Sequence, residues 1–284
     1  MNKPLWQPSE KLKENSLLRD FCKFINFKSS NNFKEIWQWS IDNPNDFWSM
    51  FWDYSKIIGD KGHEIIKKDN VFNKTKFFPD SKLNYTENIL KKKSDKLAIN
   101  FLSEKGFEEN ISWNELYEKV CKFSSYLKKL NLHKGDRVAA YVPNKIESII
   151  CFLACAKNGI IWSSCSPDFG AQGVVDRFKQ IEPKVFITCD YYYYNGKKIN
   201  ILDKVEKILK QIPSIKKVIA FNYNKQERES LKNFINFEET LKNDLDEVFE
   251  RFEFNHPIYI LFSSGTTGCL LYTSTSPRDR YISR

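Results

Sequence analysis

The sequence predicts an α/β fold in which a helical N-terminal cap precedes a largely parallel sheet with flanking helices. Two observations carry this prediction. From about residue 95, short apolar runs alternate with longer amphipathic stretches, and the residues before that point are rich in Trp and Phe at helical spacing. Strands that alternate with helices of ten or more residues indicate βαβ units and a mainly parallel sheet.

The N-terminal region, residues 1–94, is expected to be helical. Ser9 and Glu10 are suited to open a first helix, whose apolar residues recur at helical spacing as far as Ile25. Two further short helices are expected to begin near Asn32 and Pro44. Their Trp and Phe side chains are expected to form core rather than a cofactor site.

Residues 95–268 carry the alternating pattern. Ser112 and Glu115 have the spacing of a capping box, which predicts the start of the first helix of this region. The other helices are expected near Lys145–Ala156, Ala171–Ile181 and Ile201–Gln211. The predicted strands are Leu97–Leu102, Arg137–Val142, Gly159–Ser163, Val185–Cys189, Lys217–Phe221 and Ile258–Phe262.

The composition is that of a globular protein. The chain has 284 residues, of which 41% are hydrophobic and 29% are charged, and this length has room for two domains of ordinary size. The longest apolar run, Ile149–Ala156, is far shorter than the roughly 20 residues that a membrane helix needs. The first residues also lack a secretory pattern, so a cytoplasmic protein is expected.

The net charge of +9 comes mainly from lysines spread along the chain. No stretch combines clustered basic residues with regularly placed aromatics, so neither nucleic acid nor a membrane is expected as a partner.

The seven cysteines are odd in number and lack paired spacing, which favours buried reduced thiols over disulfides. With only three histidines, a metal site built from protein ligands is not expected. Nothing in the sequence indicates the oligomeric state.

A loop rich in hydroxyl groups follows the last predicted strand. Its two glycines allow the close backbone approach that an anion needs, and its N–H and O–H groups are suitable donors. Ligands of open α/β sheets bind beyond the carboxyl ends of strands, where this loop lies. The loop therefore predicts a phosphate site, with a simple surface turn as the alternative. Its residues are Ser263, Ser264, Gly265, Thr266, Thr267 and Gly268.

The segment Tyr259–Gly268, YILFSSGTTG, resembles the phosphate-binding motif of the acyl-adenylate-forming AMP-dependent synthetase/ligase superfamily. Further segments resemble the acetoacetyl-CoA synthetase family, and together the likeness covers residues 4–268. Acetyl- and propionyl-CoA synthetases share the layout but differ in the CSPDFG segment. The segments that carry the likeness are Pro4–Ser9, Phe78–Asn88, Gly135–Tyr141, Trp162–Gly170, Val175–Lys184 and Tyr194–Lys197.

The resemblance implies an acid–thiol ligase that uses ATP, Mg²⁺ and CoA. A carboxylate, here acetoacetate, attacks the α-phosphorus of ATP to give an acyl-adenylate and pyrophosphate, and CoA then displaces AMP. The loop Ser263–Gly268 would bind the departing phosphates. Gly196 and Lys197 would lie near the phosphates of CoA, although an exposed lysine is often only a solvated charge. The tyrosines Tyr191–Tyr194 would flank the same path or simply belong to a partly buried loop.

After Gly268 the sequence departs from the family, which continues with a variable residue, Pro and Lys. Here Cys269 and two leucines follow, and three arginines fall within the last seven residues. We expect residues 269–284 to be a non-native read-through tail. Family members are more than twice as long, so no catalytic residue is assigned and the fragment is expected to be inactive. The alternatives are another short-chain acyl-CoA synthetase and a non-catalytic basic module that binds nucleotide or CoA.

Overall fold

A computed structural model describes residues 5–28, 32–227, 231 and 233–262. The chain divides into two compact units, one formed by Met1–Asn88 with Arg251–His256 and the other by Ile89–Glu250 with Pro257–Arg284. The sequence-based division at residues 94 and 268 stays a prediction.

The first unit begins with four helices: α1 (Glu10–Glu14), α2 (Leu17–Phe24), α3 (Phe33–Asp42) and α4 (Pro44–Tyr54). The single helix expected between Glu10 and Ile25 is broken in two. The hydroxyl of Ser16 accepts a hydrogen bond from the Arg19 amide at 3.3 Å and caps a new helix there.

The small core of this helical part contains Phe21, Cys22 and Ile36. Phe47 and Trp39 pack against that core, as expected for the Trp and Phe side chains of this region. Trp37 contradicts the expectation, because it is 53% exposed. It is the neighbour of buried Ile36 on α3, and adjacent residues of a helix point in different directions.

The rest of the first unit is made of short elements that the sequence pattern did not predict. Strand pairs this short lack the alternating apolar runs by which strands are found in a sequence. They are β1 (Gly59–Asp60), β2 (Ile66–Lys67), a 3-10 turn (Phe72–Lys74), β3 (Lys76–Phe77), β4 (Lys82–Leu83), α5 (Tyr85–Ile89) and β14 (Phe252–Glu253). Strand β4 lies between β1 and β14 and is antiparallel to both.

The motif at residues 78–88 uses its polar side chains to build this unit. The Asp80 carboxylate accepts a hydrogen bond from the His63 amide at 2.9 Å, and the Ser81 hydroxyl donates to the Asp60 carbonyl at 2.7 Å. The Asn88 side chain makes two hydrogen bonds to the backbone of Ile58, at 2.8 and 2.9 Å. These bonds tie β4 and α5 to the chain that precedes them.

The second unit is the predicted α/β region. Its strands are β5 (Leu97–Leu102), β6 (Glu108–Ser112), β7 (Arg137–Tyr141), β8 (Ile161–Cys165), β9 (Val185–Cys189), β10 (Tyr191–Tyr194), β11 (Lys197–Asn200), β12 (Lys217–Phe221) and β13 (Ile235–Asn236). Its helices are α6 (Trp113–Lys129), α7 (Ile146–Lys157), α8 (Ala171–Phe178), α9 (Leu202–Leu209) and α10 (Phe237–Thr240).

Five of these strands form a wholly parallel sheet in the order β13–β12–β9–β7–β8, which confirms the predicted fold class. Every residue of the central strand β9 is buried, as expected for a strand covered on both faces. The capping box is also confirmed: Ser112 and Glu115 exchange backbone and side-chain hydrogen bonds at the start of α6. The pairs β5–β6 and β10–β11 are separate antiparallel hairpins.

Three predicted strands differ from their predicted bounds, and the smallest difference is in β7, which ends one residue earlier, at Tyr141. Strand β8 starts two residues later than expected because Gly159, with φ of 66°, and Ile160 end the preceding helix. Their amides donate to the carbonyls of Ala156 and Cys155. The strand predicted at Ile258–Phe262 is reduced to one parallel bridge between Tyr259 and Trp162, at the edge next to β8.

Tyr141, the last residue of β7, holds the loop that follows β8. Its buried hydroxyl lies 2.6 Å from the carbonyl oxygen of Pro167 and 2.7 Å from that of Phe169. Burial raises the pKa of Tyr141, so the hydroxyl stays protonated and shares its single hydrogen between these two carbonyls. The loop 166–170 therefore takes its shape from a side chain of the neighbouring strand.

The irregular segment 241–250 is held by lysines of α6 and α7. The ammonium of Lys157, whose side chain is fully buried, lies 3.0 Å from the Asp246 carboxylate and 2.8 Å from the Val248 carbonyl. Lys128 contacts the same carboxylate at 2.6 Å. Burial acts to raise the pKa of Asp246, but the hydrogen bonds and charges of the two lysines outweigh it and lower the pKa below its ordinary value.

Of the helices that the structure describes, none has the length and apolar character needed to cross a membrane. Six cysteines lie in the described part of the chain, and all six are buried free thiols, as expected from their spacing.

We expect Asp246→Asn to lower the free energy of unfolding at pH 7 by about 1.5–3 kcal/mol, because charged hydrogen bonds to buried Lys157 are lost. Because the folded pKa of Asp246 is lowered, its contribution is present above the unfolded pKa and disappears as the pH falls through the folded pKa. The difference from the wild type should therefore shrink toward pH 3. Urea denaturation at several pH values measures this, with exposed Asp244→Asn as the control. A difference independent of pH would contradict the charge-based explanation.

We expect Tyr141→Phe to lower the free energy of unfolding by about 1–2 kcal/mol, since the carbonyls of Pro167 and Phe169 lose the single O–H donor that they share. The matched control is Tyr194→Phe, which removes a hydroxyl from a side chain that is 62% exposed. The control should change stability by less than about 0.5 kcal/mol. Urea denaturation gives both values, and amide exchange at Phe169 reports on the loop. Equal effects of the two substitutions would argue against the role of Tyr141.

Candidate functional site

A cleft of about 370 Å³ lies where the parallel strands β7 and β8 end. Its walls are the loop after β7, the loop after β8 and one side of the β10–β11 hairpin. Ligands of open α/β sheets bind beyond the carboxyl ends of the strands, so this is the expected position for a site. Its lining includes Pro143, Asn144, Ser166, Asp168, Tyr192 and Tyr194.

The β10–β11 hairpin presents different residues on its two faces. In the antiparallel register, Tyr194 pairs with Lys197, whereas Tyr193 pairs with Lys198. Directly paired residues lie on the same face of a hairpin. Because Tyr194 lines the cleft, Lys197 belongs to the face that borders the cleft and Lys198 to the opposite face.

The contacts of Lys198 agree with this assignment. Its ammonium lies 3.8 Å from the centre of the Tyr191 ring and 3.9 Å from the Glu227 carboxylate, so it serves the packing of the hairpin. Lys197 is exposed. Of these two neighbouring lysines, Lys197 is therefore the one suited to meet an anionic group at the rim of the cleft.

Residues Asn195 and Gly196 form the turn of the hairpin, with φ values of 49° and 73°. Two consecutive positive φ values are typical of the tight turns that match the twist of a hairpin, and Asn-Gly is their preferred sequence. Both turn amides donate to the Glu104 carboxylate, at 3.1 and 3.0 Å. The Gly196 amide, expected near a CoA phosphate, thus already has an acceptor within the protein.

Asp190 connects the hairpin to the sheet. It is fully buried at the end of β9, and its carboxylate accepts hydrogen bonds from the amides of Tyr191 and Tyr223, both at 2.8 Å. The Asn222 side chain donates to its other oxygen at 2.7 Å. This one carboxylate therefore fixes the start of the hairpin and the loop after β12 relative to each other.

The cleft contains one cysteine, Cys165, at the end of β8. Burial raises the pKa of its thiol to about 11, against the opposing charge of Arg177. The thiol is therefore protonated at neutral pH and unsuited to act as a nucleophile. Within the described ranges, no three His, Cys, Asp or Glu side chains are grouped so that they could hold a metal ion.

The predicted phosphate loop, Ser263–Gly268, lies outside the described residues, as do residues 269–284. The described chain before it runs parallel to β8: the Trp162 amide donates to the Ile258 carbonyl at 3.0 Å, and the Ile260 amide donates to the Trp162 carbonyl at 2.8 Å. This direction leads toward the edge of the sheet at which the cleft opens. The role of the loop stays a prediction.

Sequence reasoning named Gly196 and Lys197, whose roles stay predictions, and it missed three residues that shape the walls of the cleft: Tyr141, Asp190 and Glu104. Tyr141 is the last residue of β7 and Asp190 directly follows β9, and a polar group at the end of an apolar strand is a usable signal. Glu104 gives no comparable signal, because its partner is 91 positions away in the chain.

Comparison with known proteins agrees with this architecture. Residues 86–269 match the family model described as AMP-binding enzyme. An acetoacetyl-coenzyme A synthetase of Rhizobium meliloti is 36% identical over 96% of this chain, and one of Xenopus tropicalis is 37% identical over 86%. The aligned regions span 43% and 39% of those proteins.

Among solved structures, acetoacetyl-CoA synthetase from Streptomyces lividans superposes with a TM-score of 0.85 at 28% sequence identity. The match covers 93% of this chain and 42% of that protein. The chain thus spans less than half the length of the relatives that it matches. Because the family model covers well over half of the present sequence, the chain belongs to the AMP-binding enzyme family.

Proposed function

We propose that this chain is the amino-terminal part of an acetoacetate–CoA ligase. The reaction converts ATP, acetoacetate and CoA into AMP, pyrophosphate and acetoacetyl-CoA through an acyl-adenylate. The observation that carries the proposal is the similarity to acetoacetyl-CoA synthetases along 96% of the chain, together with a cleft at the carboxyl edge of the sheet.

ATP, with Mg²⁺, is assigned to the loop Ser263–Gly268. The chemistry favours this loop because pyrophosphate leaves with its negative charge, and N–H and O–H donors stabilise that charge as it develops. CoA is assigned to the cleft beside the β10–β11 hairpin, with its phosphates near Gly196 and Lys197. The position of Lys197 on the same face as Tyr194 supports this assignment.

A cytoplasmic location is part of the proposal. Its support is that the six described cysteines are all buried free thiols, which is the usual state of cysteine in a reducing compartment.

We expect the full-length protein to form AMP in a reaction that depends on acetoacetate, CoA and Mg-ATP. Its kcat/KM for acetoacetate should exceed that for acetate or propionate at least tenfold, which corresponds to about 1.4 kcal/mol of transition-state stabilisation. Release of AMP, measured with each acid in turn, tests this. The 284-residue chain alone serves as a control and is expected to form no AMP. A tenfold preference for acetate or propionate would point to another short-chain acyl-CoA synthetase and contradict the choice of acetoacetate.

We expect Lys197→Met to weaken the binding of CoA to this chain about fivefold, since an exposed charge pair contributes up to about 1 kcal/mol. Lys198→Met, the matched control on the other face of the hairpin, should change the affinity less than twofold. Isothermal titration at low salt measures both. Pantetheine, which lacks the phosphates of CoA, should bind the wild type and the Lys197 variant equally. Equal losses in both lysine variants would contradict the assignment of Lys197.

A further inference from the structure

The β10–β11 hairpin is a two-stranded sheet that pairs with no other strand of the described chain. An isolated two-stranded hairpin is at best marginally stable in water, so side-chain contacts have to hold it in place. At its base, the rings of Tyr191 and Tyr193 pack on Tyr223, with centroids 5.4 and 5.7 Å apart. These contacts reach one face of the strands and leave the turn to be fixed by other groups.

Glu104 supplies that second attachment. One carboxylate oxygen accepts from the Asn195 amide at 3.1 Å and the other accepts from the Gly196 amide at 3.0 Å. Both oxygens of a single carboxylate therefore bind the two amides of the turn. Hydrogen bonds to a charged acceptor are stronger than those between neutral groups.

Glu104 is itself held by a well-defined turn between β5 and β6. The hydroxyl of Ser103 accepts hydrogen bonds from the amides of Lys105 and Phe107, at 3.3 and 3.1 Å. The Ser103 amide also donates to the Phe107 carbonyl at 2.8 Å. The turn fixes the backbone from which the exposed Glu104 side chain extends, and the hydrogen bonds to Asn195 and Gly196 orient its carboxylate.

We propose that Glu104 is a positioning residue for the cleft: by holding the tip of the β10–β11 hairpin, it sets the place of Tyr194 and Lys197. The inference rests on the proposed function, because it gives Lys197 a role at the CoA phosphates. Tyr194 and Lys197 directly flank the two residues whose amides Glu104 binds. Movement of the turn would therefore move both side chains away from the cleft.

The first test measures amide hydrogen exchange in the 284-residue chain without ligand. In Glu104→Ala, the amides of Asn195 and Gly196 should exchange at least tenfold faster than in the wild type. Glu104→Gln keeps one acceptor oxygen and should give an intermediate rate. Glu206→Gln, which changes an exposed carboxylate on α9, is the control and should leave both rates unchanged. Unchanged exchange in Glu104→Ala would overturn the proposal.

The second test is a double-mutant cycle on CoA affinity, measured by isothermal titration. Glu104→Ala should weaken CoA binding about fivefold, and adding Lys197→Met to it should have little further effect, because Lys197 is already displaced. A contact that only stabilises the fold would not produce this dependence. Additive effects of the two substitutions would overturn the positioning role.

Tighter CoA binding by Glu104→Ala would also overturn the proposal, because it would mean that the carboxylate competes with the ligand for the turn amides. Failure of the proposed function gives a different result. If the wild-type chain shows no difference between CoA and pantetheine, the assignment of the CoA phosphates is wrong. The exchange rates of Asn195 and Gly196 then still decide whether Glu104 holds the hairpin tip.

Discussion

A buried positive charge, the ammonium of Lys145, constrains the carboxyl edge of the sheet. Its side chain has no exposed surface, and an unpaired charge in such a place costs several kcal/mol. The Glu109 carboxylate on β6 accepts its hydrogen bond, and Glu147 on α7 lies 3.8 Å away. Lys225 extends the network, 3.7 Å from Glu147 and 3.0 Å from Glu238 at the start of α10. Three rings also surround the ammonium: Phe101, Phe107 and Tyr223. One charge thus binds together elements from four parts of the second unit.

The candidate cleft depends on the same kind of long-range polar contact. Tyr141 holds the loop after β8, Asp190 holds the start of the β10–β11 hairpin, and Glu104 binds its turn. In each case a side chain from a strand end or a turn binds the backbone of a cleft wall, so the walls of the cleft are fixed by groups that do not line it. The polar residues at 78–88 work in the same way within the first unit, where they bind backbone groups instead of a ligand.

Much of the second unit could be predicted because the residues that are apolar in the sequence are the ones that the fold buries. Continuous apolar runs mark the buried strands β7, β9 and β12, and the capping box marks the start of α6. The errors occur where a hydrogen bond, and not hydrophobicity, sets the boundary. Gly159 and Ile160 look like the start of a strand but close α7, and Ser16 divides what looks like one amphipathic helix. The run 258–262 is apolar enough for a strand but pairs at a single position, since pairing depends on the neighbouring strand.

The sequence by itself determined the α/β class, the position of the parallel sheet and the chemical character of the loop Ser263–Gly268, because these depend on local composition and spacing. It also singled out Lys197 through resemblance to a family, but two adjacent lysines look alike in a sequence. Only the tertiary structure shows how the two differ: the register of the hairpin puts Lys197 on the face of Tyr194, whereas Lys198 packs against Tyr191. The role of Lys197 at CoA stays a prediction. The tertiary structure also revealed the carboxylate that binds the turn. Such contacts join residues that are far apart in the chain, and only folding brings those residues together.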